Sequence, residues 1–153
     1  MPLPTQPFIR TMTAADLDEV LAIEQASFKS PWKRAHFEAE LSGGYSFPFV
    51  AESDGRVVGY VCLMSLFEVA QILDIAVSPE QRGRGIARVL MEHACALARE
   101  RRAEILALEV RASSAAAIGL YQRSGFKRVG IRPDYYEDSE DAILMEKNLK
   151  ETT

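Results

Sequence analysis

Two glycines set one residue apart, Gly83 and Gly85, stand between an apolar run that stops at Ser78-Pro79 and a stretch with helical apolar spacing. Gln71–Val77 reads as a strand, and the helix that follows runs from about Arg84 to Arg102, with Ile86, Leu90, Ala94 and Leu97 on one stripe. Glu104–Val110 is then a compact apolar run with the look of a buried strand. A strand, a turn, a helix and a strand in that order form a crossover, and a crossover normally makes its two strands parallel. Few folds can be built around such a unit, because both faces of its sheet need cover.

The flanking segments narrow the choice. A short strand near Phe8–Met12 leads into Thr13-Ala14-Ala15-Asp16, a capping box with Asp in the usual Glu position. Leu17, Val20, Leu21, Glu24 and Phe28 continue at helical spacing. Ser30-Pro31 is expected to restart a helix, with Phe37 and Leu41 on one face, closed by Ser42-Gly43-Gly44. Phe47–Ser53 and Arg56–Leu66 read as strands of a hairpin turned by Asp54-Gly55. After the crossover, Ser114–Arg123 reads as a short helix ended by Gly125 as a left-handed cap. Strands near Phe126–Arg132 and Ala142–Leu149 flank an acidic connection. The expectation is an α/β chain, one domain over 1–153, with a mixed central sheet of about six or seven strands and helices on both faces.

Bulk properties remove several function classes. A formal charge of -4 disfavours direct nucleic-acid binding, which needs a basic face. Cys62 and Cys95 are far apart in apolar stretches, and His36 and His93 are isolated, so no metal-ligand spacing is present. Met1 to Arg10 has three prolines and no basic start followed by an apolar core, unlike a secretory leader. No apolar run reaches the 18 or so residues of a membrane span. The chain is expected to be soluble and cytoplasmic, with reduced thiols.

The glycine loop itself points to an anion. Gly83 and Gly85 let backbone amides approach a bulky group, and the start of a helix aims unpaired N–H groups and the positive end of its dipole at one point. Arg82, Arg84 and Arg88 add positive charge around Ile86 and Ala87. A diphosphate ester fits this chemistry. A nucleoside-triphosphate loop would end in Gly-Lys-Ser/Thr, and a dinucleotide loop would want a small residue where Arg88 stands. A glycine turn that merely starts a helix stays open.

Ile72 to Phe126 resembles the acetyl-CoA-binding core of the GNAT N-acetyltransferases: Arg82, Gly85 and Ala87 fall on its loop pattern, followed by Leu108-Glu109-Val110-Arg111, Ala117, Leu120-Tyr121 and Gly125-Phe126. Within that family the chain is similar to bacterial ribosomal-protein-alanine N-acetyltransferases. Leu108–Ser113 followed by Ala115–Ile118, Asp134-Tyr135-Tyr136, Glu140–Ile143, Phe28 and Pro31-Trp32 carry that similarity over nearly the whole chain. The resemblance implies the GNAT fold, acetyl-CoA as donor without a metal, and the N-terminal peptide of a ribosomal protein as acceptor. It also implies that main-chain groups at Ile75, Ala76 and Val77, freed where parallel strands splay, pair with the pantetheine arm. Ser114 stands where the family usually has an Asn that touches that arm.

Acetyl transfer to an amine poses two proton problems. An α-amino group, pKa about 7.7–8.0, must lose a proton to attack, and the departing thiolate must gain one. Glu109 is the one charged residue inside Ile105–Val110, which suits a general base; pairing with Arg111 or another cation at a strand end is the competing reading. Tyr121 shares a helical stripe with Ser114 and Ala117. Its role as general acid is implied by the resemblance, against packing as an ordinary aromatic. Neither cysteine sits in a nucleophile context, so direct attack without an acyl-enzyme is expected.

The acceptor rests on two segments. Asp134, Glu137, Asp138, Glu140 and Asp141, beside Tyr135 and Tyr136, make either a mobile acidic loop that clamps a basic peptide or a solvated connection. Trp32 is either a cleft wall or a staple for the second helix. The leading expectation is acetylation of the N-terminal alanine of a small-subunit ribosomal protein. Other N-termini, lysines or a small amine remain alternatives, as does an inert acetyl-CoA-binding partner subunit.

Overall fold

The computed structural model describes residues 7–150; the segment that bears on a leader lies largely outside them. In chain order the elements are β1 (Phe8–Thr11), α1 (Leu17–Ser27), α2 (Arg34–Ser42), β2 (Ser46–Ser53), β3 (Arg56–Leu66), β4 (Val69–Val77), α3 (Ile86–Glu100), β5 (Ile105–Arg111), α4 (Ala115–Arg123), β6 (Lys127–Arg132) and β7 (Ala142–Asn148). Seven strands form one sheet in the order β1-β2-β3-β4-β5-β7-β6. Every neighbouring pair is antiparallel except β4–β5, the pair joined by the α3 crossover.

The sheet is covered on both faces. α3 lays Ile86, Leu90, Met91, Ala94, Cys95 and Ala98 against Val61, Leu63, Ile72, Leu106 and Leu108. On the opposite face Leu17, Val20 and Ile23 of α1 and Phe37 of α2 pack on Val50, Tyr60, Cys62 and Ala76. Burying side chains such as Leu90 and Phe37 contributes roughly 1.5–3 kcal/mol each. Burial on both sides explains why β3 is an almost unbroken apolar run rather than an alternating one.

Local chemistry sets the joints. Asp54 and Gly55 take φ of 52° and 76°, the two positive values that a tight two-residue hairpin turn requires. Thr13 N–H donates to Asp16 Oδ2 at 2.8 Å, so the capping box forms, and Arg10 grips the same carboxylate. α2 begins three residues later than Ser30-Pro31 suggests, at Arg34. The chain before it is held extended because Trp32 N–H donates to Glu24 of α1 (2.9 Å) and Lys33 N–H donates to His36 Nδ1 (3.0 Å). α3 likewise starts at Ile86, not Arg84, since Gly85 is left-handed with φ 81° and cannot be its first helical residue.

Two irregularities shape the middle of the sheet. The β3–β4 ladder pairs Leu63 with Ile72 but Cys62 with Asp74, so Leu73 is an extra residue, a bulge in β4. The parallel β4–β5 ladder covers only Val69–Gln71 against Ile105–Ala107. Beyond that point the two strands part into a wedge.

Candidate active site

The wedge exposes main chain of β4. Ser78 N–H donates to Val58 O (2.8 Å), and Ala76 lies opposite Tyr60, so alternation turns Ser78 and Ala76 toward β3. Ile75 and Val77 turn their main-chain groups into the wedge. Of the three residues expected to offer free main chain, Ala76 is therefore the exception: its carbonyl faces β3, close to Gly59.

The glycine loop closes one end of the wedge. Gly83 and Gly85 both take φ 81°, a conformation that a side chain disfavours. The first bond inside α3 runs from Val89 N–H to Gly85 O (3.1 Å), leaving Ile86, Ala87 and Arg88 N–H without helical partners. Arg82 is a brace: its Nε donates to Val77 O (3.1 Å) and its guanidinium donates to Ser27 Oγ (3.0 Å). Arg84 donates to Gln81 and Arg88 pairs with Glu92, both at the exposed rim. Beside Arg88 a groove of about 460 Å³ opens between α3 and α4, lined also by Met91, Leu120, Arg123 and Lys147.

Tyr121 reaches the wedge from α4, and its position is set by the end of that helix. Phe126 N–H donates to Tyr121 O (2.9 Å) and Gly125 N–H to Gln122 O (3.1 Å) across Gly125 at φ 97°. This double-bonded cap needs glycine at the turn and an apolar residue after it, and Phe126 packs on the Tyr121 ring with centroids 5.9 Å apart. Burial pushes the Tyr121 phenol up to about 12, with Asp74 and Tyr136 adding to it. It therefore stays a proton donor through the neutral range. Ser114 caps the other end of α4, and its hydroxyl makes no bond to its own helix.

Glu109 comes from β5. Leu106, Leu108 and Val110 point into the α3 core, so Ala107, Glu109 and Arg111 face the other way, into the cleft. The Glu109 side chain is 20% exposed, with Arg132 at 3.5 Å. The neighbouring Glu109 charge raises the Tyr135 phenol above its ordinary value. Arg111 is not the partner of Glu109. It binds Asp138 and Glu140, each at 2.9 Å, and lies 4.1 Å from the centre of the Tyr136 ring.

That engagement corrects the picture of a mobile acidic clamp. Glu140 also accepts Ser113 N–H (2.7 Å), and Asp141 accepts Asp134 N–H (3.0 Å). The Ser113 hydrogen bond and then Arg111 hold Glu140 below the usual carboxylate range, and Arg111 does the same for Asp138. These carboxylates tie the β6–β7 connection to β5 rather than waiting for a basic peptide. Lys29 meets Asp138 at 3.7 Å, which brings the α1–α2 connection to the same loop. Trp32 in that connection packs on Phe37 and stacks on His36, with centroids 5.1 and 5.7 Å apart. Trp32 thus lies in the connection that Lys29 joins to the loop carrying Tyr135 and Tyr136.

Sequence reading passed over a buried acid pair. Glu24 and Asp74 are 2% and 8% exposed, and Glu24 accepts both Tyr60 O–H and Trp32 N–H. Burial, and then a hydrogen bond with Glu24, pushes the Asp74 carboxyl up to about 10. The signal was the one that exposed Glu109: a lone charge inside an apolar run. The shift has a direction for stability. Over a window that opens near pH 4, the native acid pair keeps a proton that the unfolded chain releases. Stability therefore falls as pH rises through that window, by at most about 1.4 kcal/mol per unit. Denaturant melts at several pH values check this, and Asp74→Asn is expected to flatten the slope.

Among the described residues no group of three or more His, Cys, Asp or Glu side chains could hold a metal, and no helix is long and apolar enough to cross a membrane.

Comparison with known proteins agrees with this geometry. The model of the acetyltransferase (GNAT) family matches residues 17–126. The chain belongs to that family and is an acetyltransferase by fold and descent. Within it, the chain is 34% identical over 140 residues to the [ribosomal protein bS18]-alanine N-acetyltransferase of Escherichia coli (strain K12), covering 90% of this chain and 94% of that one. A Bacillus subtilis (strain 168) relative that carries the same name provisionally is 40% identical over 149 residues, 96% of this chain and 99% of the relative. The crystal structure of the Escherichia coli ribosomal-protein-S18-alanine N-acetyltransferase superposes with a TM-score of 0.86 at 32% identity, over 96% of each chain.

Proposed function

We propose that this protein transfers acetyl from acetyl-CoA to the N-terminal alanine of a small-subunit ribosomal protein. The observation that carries the reading is the β4–β5 wedge, with an anion-binding helix start at one end and Glu109 and Tyr121 beside it. A diphosphate suits the free N–H groups of Ile86, Ala87 and Arg88, and an extended amide-bearing arm suits Ile75 and Val77. The Ser114 hydroxyl, unbonded to its own helix, would add a bond to that arm. Acetyl-CoA has these parts in this order.

In the reaction the amine nitrogen attacks the thioester carbonyl carbon, the C–S bond breaks, and the proton lost by nitrogen passes to Glu109. Tyr121 O–H supplies a proton to the departing sulfur. No cysteine intervenes: Cys62 is buried, and burial pushes its thiol well above the ordinary value. Trp32, Tyr135 and Tyr136 suit an acceptor that arrives as a peptide end, since aromatic walls grip main chain as well as side chain. The named relatives support alanine as the first residue. The presence of both Glu109 and Tyr121 weighs against an inert binding subunit.

Thiol release from acetyl-CoA tests this, with acceptors offered as peptides beginning with alanine, peptides with other first residues, N-blocked lysine peptides and polyamines. Turnover is expected on the alanine peptides by a margin of at least about tenfold. Turnover on polyamines alone would overturn the acceptor, and binding without any turnover would favour the inert module.

A further inference from the structure

The buried acids between α1 and the sheet have no place in the chemistry just described. Burying carboxyls is costly unless each oxygen finds a donor. Glu24 is supplied: Tyr60 O–H donates to Oε1 and Trp32 N–H donates to Oε2 at 2.9 Å. Asp74 is supplied less well: its Oδ2 is buried with no donor from any protein group. Asp74 pairs with Cys62, two residues along β3 from the Tyr60 that donates to Glu24 and on the same face, so the two carboxyls share one buried pocket. Two bare carboxylates in one buried pocket would repel, and a proton shared by the pair as a hydrogen bond between the carboxyls relieves that.

The location gives the pair its interest. Asp74 follows the Leu73 bulge, which turns it to the same face as Tyr60, Cys62 and Ala76. It stands just beyond Gln71, the last β4 residue paired with β5, at the mouth of the wedge. Across that wedge Glu109 faces the same side from β5. Glu24 in turn holds the main chain of Trp32 ahead of α2, where the Trp32 ring packs on Phe37 and His36.

We infer that Asp74 and Glu24 are positioning residues for the acceptor. A hydrogen bond between their carboxyls ties β4 at the mouth of the wedge to α1, and Glu24 passes that constraint to Trp32 as the cleft wall. This rests on the reading of Trp32 as part of the acceptor cleft. The effect is directional: loss of the link frees the acceptor wall while the glycine loop, on the far side of the wedge and braced by Arg82, keeps its shape. Asn at position 74 can still donate N–H to Glu24, whereas Leu fills the volume and donates nothing.

The test uses Asp74→Asn, Asp74→Leu and Glu24→Gln in the full chain. Acceptor KM, kcat, acetyl-CoA affinity and acrylamide quenching of Trp32, the one tryptophan in the sequence, are read for each. Asp74→Leu is expected to raise acceptor KM about tenfold, the worth of one hydrogen bond to a charged group. Quenching of Trp32 should rise about twofold, with acetyl-CoA affinity held within about threefold. Asp74→Asn should restore both values. Should Asp74→Leu fail to fold, Glu24→Gln carries the same expectation, because it cannot serve Tyr60, Trp32 and Asp74 at once. Wild-type KM and quenching in Asp74→Leu would overturn the inference, as would an Asn variant as impaired as the Leu one. A parallel loss of acetyl-CoA affinity would also overturn it, since that marks general loosening. If the wild type turned over no alanine peptide, the proposed acceptor would fall, while the quenching comparison would still decide whether the pair fixes Trp32.

Discussion

Glu109→Gln is expected to lower kcat/KM for the acceptor by about 10²–10⁴, the range general-base catalysis supplies, with acetyl-CoA affinity unchanged. Gln keeps the volume and one acceptor oxygen, so the packing of β5 is preserved, but it cannot take a proton at neutral pH. Thiol release and an independent acetyl-CoA titration read the two quantities. The split matters, because Glu109 sits 3.5 Å from Arg132, and a merely structural partner of that residue would change stability rather than rate. Wild-type turnover in the Gln variant would remove Glu109 from the chemistry. In the proposed reaction Tyr121 takes the complementary role. Its raised phenol stays protonated until about pH 12, so nothing in its titration limits the rate between pH 6 and 9. Glu109 is partly open to the cleft and Tyr121 is buried, a contrast that suits the proposed roles of proton acceptor and proton donor.

The elements that periodicity can see were legible in the sequence. β3 matches its reading at both ends, the crossover makes the parallel pair, and Asp54-Gly55 turns the hairpin. Gly125-Phe126 was readable as a helix stop; its service to Tyr121 was not, because the 5.9 Å packing of Phe126 on that ring is a tertiary fact. The errors share a physical cause. Ser30-Pro31 is a good local helix start, but a hydrogen bond from Trp32 to Glu24 eight residues away holds the chain extended. The acidic residues from Asp134 to Asp141 read as free charge because Arg111, 27 residues before Asp138, is invisible to local composition. Ala76 was grouped with Ile75 and Val77, though strand alternation forbids three consecutive residues from offering main chain to one side. Leu73 decides which of them do, and a bulge leaves no mark in an apolar run.

Gly59→Val is expected to destabilise the fold and weaken acetyl-CoA binding together, and sequence patterning gives no warning of it. Gly59 lies in β3 opposite Val77, where α3 crosses the sheet. A Cβ there would meet Ala76 O at 3.0 Å, Leu90 Cδ1 at 3.1 Å and Ile86 Cγ2 at 3.4 Å. The first neighbour is main chain fixed in the β3–β4 ladder and cannot give way. Leu90 is fully buried, so the remaining relief is to lift the start of α3. Ile86 opens that helix directly after Gly85, so lifting it moves the N–H groups of the anion-binding loop. Overpacking of this kind costs about 1–3 kcal/mol, or a fall in Tm of roughly 3–10 °C for a chain of this size. Acetyl-CoA affinity should fall with it, by about tenfold. Gly85→Ala provides the contrast: its Cβ would meet nothing within 4 Å, and its cost comes from φ 81° alone, about 1–2 kcal/mol. Its effect is therefore confined to the loop. Thermal melts with and without acetyl-CoA separate the two. A Gly59→Val protein that melts like the wild type and binds acetyl-CoA equally well would show that α3 does not need the missing side chain to sit where it does.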